Sequence, residues 1–339
     1  MTAVVRDAGG ERAFAEAEAR VYASDPRWTP PLPGELRETF DPRINPALAG
    51  SACRRWVLFE GEDPCGRIAA FAPADRPSVG YVGFVEFPND AAKSRALFAA
   101  AEEWLLGLGR RDVYGPVAVT PRDRIGLLVE AFDRPAVLFT PYNPPYYPGL
   151  FEAAGYVPAQ QLRAYGWEAR TRDAREVARL ADRLVNCTLA GAWHYDPIGA
   201  DEADRMARLL EPVLEPRLAL IAEDADGPCA VALAVPDAWW VWRRAGARLW
   251  PLGWARMLSW RRRIPQVRVM AFGVLPRARG TGAAALLLGA LERAGRAIGY
   301  RYAELSQVYD DNAPMRRVLD PMGLPVVRRY AVYHRRLGR

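Results

Sequence analysis

Histidine is almost missing from the chain: His194 and His334 are the only two in 339 residues. The four cysteines, Cys53, Cys65, Cys187 and Cys229, are scattered singly, with no C-x-x-C pair. Ligands that build a structural zinc site are therefore absent in any fitting spacing, and no metal is expected. Lone thiols also argue against a disulfide framework and for a reducing compartment. No stretch of about 18 uncharged apolar residues occurs, which argues against a helical membrane span. The opening MTAVVRDAGGERAFAEAEAR lacks the basic-then-apolar order of a secretory signal. The cytoplasm is the expected location. Lysine is reduced to Lys93, so arginine supplies nearly all of the 46 cationic side chains against 40 acidic ones, a net charge of +6. A GC-rich genome accounts for most of that bias. The balance favours anionic partners, phosphorylated cofactors or nucleic acid, without choosing between them.

What is present is an ordinary globular composition, 50% apolar and 25% charged, on a chain long enough for two domains. The two halves end alike. NPPYYPGLFEAAGYVPAQQLRAYGWEA (143–169) and NAPMRRVLDPMGLPVVRRYAVYHRR (312–336) each set an Asn before a short helix-like stretch that stops at Gly155 or Gly323. A Tyr, Tyr165 or Tyr333, follows ten residues later in a strand-like run. Glycine suits a helix C-terminus because it adopts the left-handed conformation freely. This recurrence predicts two related α/β domains, 1–168 and 169–339, each with an α+β mixed sheet. In the second half, strand 267–274, helix 280–298 and strand 301–308 have the order of a βαβ crossover.

Between that strand and that helix lies VLPRARGTGAAA. A helix start carries unpaired N–H groups and the positive end of its dipole, so glycines there let backbone approach an anion closely. Gly280 and Gly282 would provide that approach, with Arg277 and Arg279 adding charge-assisted contacts. The simpler alternative is a flexible helix start with a Thr281 cap. The run Arg279-Gly280-Thr281-Gly282-Ala283-Ala284, after Val274-Leu275-Pro276 and before a long helix, a strand and Asn312, resembles the acyl-CoA loop of the GNAT (N-acetyltransferase) superfamily. That loop reads [Q/R]-x-x-G-x-[G/A], and the resemblance spans about 215–335. RWTPPLPGELRETFDPRINP (27–46), GRIAAF (66–71), PYNPPYYPGLFEAAGY (141–156) and AVPDAWWVWRRAGARLWPLGW (234–254) are similar to a bacterial tandem-GNAT family without a settled activity.

The resemblance implies an acyltransferase that moves an acyl group, other than an aminoacyl group, from acetyl-CoA or another acyl-CoA to an amine. The acceptor would be a small-molecule amine or a peptide. It places a carbonyl-polarising backbone amide near Phe272, Gly273 and Val274, and a general base at Glu304 with Ser306 on the same strand face. A solvated or Arg-paired strand carboxylate is the equal alternative for Glu304. The Tyr that protonates the departing thiolate in the family falls at Leu319 here, which cannot donate a proton. Tyr309 and Tyr330 are substitutes, each also readable as a packed aromatic. The first half follows its equivalent strand with PNDAAKSRA, which has no glycine pair and an acidic Asp90, so it is expected to have lost acyl-CoA binding. His194 and His334 have no evident partners and are expected at the surface.

The Trp/Arg-rich insertion 237–263, with Trp239, Trp242, Trp250, Trp254 and Trp260, reads first as packing with a role in an acceptor pocket. A membrane-surface helix ranks behind that, RNA clamping comes last, and DNA is not expected. Two other readings stay open: a Fem-like transferase fed by aminoacyl-tRNA, and an acyl-CoA-binding protein without turnover.

Overall fold

Strand β3 (Asp63–Ala72) is buried along nearly its whole length, because it has a helix on each face. Ile68, Ala70 and Ala72 meet Leu97, Phe98, Ala101 and Leu105 of α3 (Ala91–Gly107). Arg67 points the other way, onto Phe14 of α1 (Glu11–Val21). The alternation follows from the period of two along a strand. The computed structural model describes residues 3–121, 124–168, 213–246 and 263–338, together with Arg205, Leu210 and Ala255. These residues pack as two compact units, the first running to Gln161 and taking in 196–206 and Tyr330 onward, the second covering the remainder of 162–329.

The first unit contains, besides α1, β3 and α3, strands β1 (Ala3–Asp7), β2 (Ala52–Glu60), β4 (Val79–Glu86), β5 (Asp112–Gly115) and β6 (Leu127–Glu130). Its further helices are α2 (Glu35–Phe40) and α4 (Tyr147–Ala153). The sheet order is β1-β2-β3-β4-β5, and residues Tyr333–Arg336 pair with β5. Every pair is antiparallel except β4–β5, which is parallel and joined through α3.

The second unit repeats this plan. Strands β8 (Ala219–Asp224) and β9 (Gly227–Pro236) form a hairpin, α5 (Ala238–Arg244) follows, and β10 (Gln266–Val274) leads into α6 (Ala283–Ile298). Strand β11 (Tyr302–Tyr309) returns parallel to β10, and α7 (Ala313–Leu319) precedes β12 (Val326–Arg336). Residues Leu162–Glu168 of β7 (Val157–Glu168) pair with β11. Helix α6 holds because its apolar stripe, Leu287, Leu288 and Leu291 among others, is buried against the sheet, each such side chain contributing about 2 kcal/mol.

The mixed α/β architecture read from the sequence is the one observed, in both halves. The matching chain ends differ in detail. Asn312 caps α7, its Oδ1 accepting from the Met315 amide at 3.1 Å. Asn143 instead serves β6, accepting from the Leu128 amide and donating to the Leu128 carbonyl. No helix among the described residues is long and apolar enough to cross a membrane.

Candidate functional site

After β10 the chain makes one tight turn, Pro276–Ala278, and then Gly280 and Gly282 adopt φ of +87° and +85°. Those are left-handed conformations that a β-carbon penalises. Thr281 is not the helix cap: its hydroxyl donates to the Ala278 carbonyl at 2.8 Å and holds the turn closed. The cap position is Gly282 itself, so no side chain accepts from the first-turn amides of this 16-residue helix. Ala283 and Ala284 open the helix and are buried. The two arginines of the loop are not equivalent. Arg277 is committed to the β8–β9 turn, with Nε 3.0 Å from Asp224 Oδ2 and Nη2 2.7 Å from the Pro228 carbonyl. Its guanidinium holds the Asp224 carboxyl below the usual range. Arg279 has a buried Nε without a hydrogen-bond partner among the described residues. Uncapped amides beside an unsatisfied guanidinium nitrogen fit an anion.

The two parallel strands flanking this loop part company. Backbone pairing of β10 with β11 runs from Gln266↔Tyr302 to Val269↔Leu305 and stops, although both strands continue. Phe272, Gly273 and Val274 stay paired to Ala232, Val231 and Ala230 of β9 on the other side. A register shift at Val269/Ala271 marks the change. The edge of β10 facing β11 is therefore unzipped where the sequence placed a polarising amide.

Val267, Val269 and Leu305 pack toward α6, so the period of two sends Arg268, Glu304 and Ser306 to the opposite face. All three are buried. Arg328 donates from Nη1 to Glu304 Oε2 at 2.6 Å. Glu304 Oε1 and the Ser306 hydroxyl are buried and, among the described residues, have no other partner within hydrogen-bond geometry, although Ser306 is close enough to favour the ionised carboxylate. Burial pushes the Glu304 carboxyl above its ordinary range against the pull of Arg328 and Arg268. Arg268 donates from Nε and Nη2 to the Ser306 carbonyl. Sequence reading found Glu304 and Ser306 but missed Arg268 and Arg328. For Arg268 the signal was an arginine near the start of an otherwise apolar run, VRVMAFGV. Tyr309 ends β11 half-buried, and Tyr330 and Leu319 are fully buried.

The first unit has the same strand end without the loop. Glu86-Phe87-Pro88 matches Val274-Leu275-Pro276, but only Asn89 and Asp90 separate it from α3. Asp90 fills the helix start, its Oδ1 accepting from the Ala92 and Lys93 amides at 2.8 and 3.1 Å. Glu86, at the end of β4, belongs to a buried polar network. Arg67 Nη2 sits 2.8 Å from Glu18 and 3.8 Å from Glu86, and the Tyr147 hydroxyl donates to Glu86 at 2.8 Å. Tyr22 faces the same carboxylate. One guanidinium serves two buried carboxylates, so burial pushes Glu86 up to about 7.

Because the folded pKa lies above the unfolded one, stability is fully present below about pH 4.5 and is lost as pH rises to about 7. The loss is at most about 3 kcal/mol. Thermal melts from pH 5 to 8.5 are expected to show this decline in the wild type and a shallower one in Glu86→Gln, where the raised carboxyls of Glu102 and Glu304 remain. An unchanged slope in the variant removes Glu86 as its source.

His334 is not a lone surface residue as expected: it stacks on Tyr114 and its Nε2 lies 3.2 Å from Asp112 Oδ1. Charged neighbours distant in sequence gave no local sign of this. His194, Trp250, Trp254 and Trp260 lie outside the described residues, while Trp239 and Trp242 are buried. Among the described residues no group of three or more His, Cys, Asp or Glu is arranged to hold a metal.

Residues 203–324 match the model of the acetyltransferase (GNAT) family. The chain is 26% identical to a protein of Caulobacter vibrioides named bacterial ceramide synthase, covering 96% of this chain and 94% of that one. It is 27% identical to Protein YghO of Escherichia coli, covering 96% and 93%. Among solved structures, a tandem GNAT protein from the clavulanic acid biosynthesis pathway superposes with a TM-score of 0.54 at 18% identity, over 100% of this chain and 99% of that one.

Proposed function

We propose, for a chain that belongs to the GNAT superfamily and has the tandem GNAT fold, acyl transfer from an acyl-CoA to an amine, carried by the second unit. The observation that supports it best is the buried Arg279 Nε, without a hydrogen-bond partner among the described residues, beside two left-handed glycines at the uncapped start of α6. Those donors suit the pyrophosphate of a CoA thioester. The unzipped edge of β10 supplies backbone N–H groups for the thioester carbonyl, where charge develops during attack. Glu304, through its Oε1, takes the proton from the attacking amine. The acceptor we favour is a long-chain amine, because a relative matched over nearly all of both chains is named a ceramide synthase. Location in the cytoplasm is part of the same reading.

The buried Leu319 supports a second reading, acyl-CoA binding without turnover, since no acid stands at that position. Incubating the protein with acyl-CoAs of several chain lengths and a long-chain amino alcohol separates the two. Release of free thiol with amide formation supports transfer, and saturable binding without release supports the second reading. Occupation of the α3 start by Asp90 predicts one acyl-CoA per chain in the wild type, and the missing glycine pair in PNDAAKSRA keeps it at one in Asp90→Lys. Calorimetry returning two sites in the wild type would contradict the loss of binding in the first unit.

A further inference from the structure

We infer that Arg268 is a positioning residue that keeps β10 and β11 apart, and thereby makes the slot through which a CoA arm passes; this rests on the acyl-CoA reading above. The strand ladder ends at Val269↔Leu305, and the first carbonyl beyond it is that of Ser306. A buried carbonyl at a strand edge needs a donor, and the ordinary one is an amide of the neighbouring strand. Here the donor is a side chain: Arg268 Nε and Nη2 lie 3.3 and 3.1 Å from the Ser306 oxygen.

Arg268 itself belongs to the last paired turns of β10, level with Glu304 in register. It is only 8% exposed, and its long side chain spans from its own strand to the point where the partner leaves. Glu304 lies within its field and is fixed in turn by Arg328. The guanidinium thus satisfies the group that would otherwise draw the strands together. With Arg268 in place, the Ser306 carbonyl at the apex of the gap has its donor. Without it, the simplest remedy is extension of the ladder, which closes the slot.

The test uses the full chain as wild type, Arg268→Met and Arg268→Lys, titrated with CoA and with 3′,5′-ADP, which carries the nucleotide end only. In the wild type CoA is expected to bind more tightly than 3′,5′-ADP. In Arg268→Met that margin shrinks by about tenfold, while 3′,5′-ADP affinity stays within twofold. Arg268→Lys, which keeps one donor, falls between. Hydrogen exchange adds a readout that needs no ligand: amides of Met270–Val274 that do not bond to β9 become protected in Arg268→Met.

Undiminished CoA affinity together with unchanged exchange overturns the inference. If Arg268→Met does not fold, the lysine variant decides, and wild-type behaviour there overturns it equally. If the wild type binds neither probe, the acyl-CoA reading falls. Exchange alone then judges Arg268, with gained protection in its favour and none against it.

Discussion

Replacing Arg279 with glutamate is expected to weaken acyl-CoA binding by at least about 100-fold. The arginine is half-buried and its Nε has no hydrogen-bond partner among the described residues. What it removes is a charge-assisted donor, worth about 1.5–3 kcal/mol. What it adds is an anion at the positive end of α6, where a second anion is repelled. At about 1.4 kcal/mol per decade the two effects together reach two decades or more. Arg279→Ala loses only the first and is expected to fall near tenfold. Arg277→Glu is the control for mere net charge: that side chain is spent on Asp224 and the Pro228 carbonyl, so a few-fold loss is expected. Isothermal titration with acetyl-CoA and longer acyl-CoAs measures all three. Wild-type affinity in Arg279→Glu would mean that the glycines serve only to start a helix.

The contrast between these arginines shows how far the sequence could be read. The strand-loop-helix order, the glycine pair and the acidic replacement in the first half are local features. Each constrains the backbone within a few residues, and each was visible. Which arginine remained available was not visible, because Asp224 lies 53 residues upstream of Arg277 and no local pattern links them. Thr281 illustrates the same limit at short range. A Thr at a helix start reads as a cap, yet two left-handed glycines move the helix boundary past it and turn its hydroxyl back to Ala278. The polar cluster around Glu304 was half legible. Period-two spacing put Glu304 and Ser306 on one face, but their partners come from β10 and β12, and strand register is a tertiary property. Asp90 was read as an obstacle to phosphate. In the structure its carboxylate accepts from the Ala92 and Lys93 amides at the start of α3.

Glu304→Gln is expected to leave acyl-CoA affinity unchanged and to lower kcat by about 10²- to 10⁴-fold, the range for loss of a general base. Glutamine keeps the shape and can still accept from Arg328, so the fold of β11 is preserved. What it cannot do is take a proton at the position of Oε1, the oxygen without a hydrogen-bond partner among the described residues. The pH profile separates this role from a structural one. Burial raises the Glu304 pKa, so kcat/KM in the wild type should climb with pH along a limb lying above the ordinary glutamate range. In Glu304→Gln that limb should vanish, leaving a low and flat rate. Arg328→Met supplies the opposite displacement. Arg328 stabilises the ionised carboxylate, so its removal should push the limb to higher pH while sparing the rate at its plateau. A limb that stays in place in both variants belongs to another group, and full activity in Glu304→Gln would remove the carboxylate from the chemistry altogether.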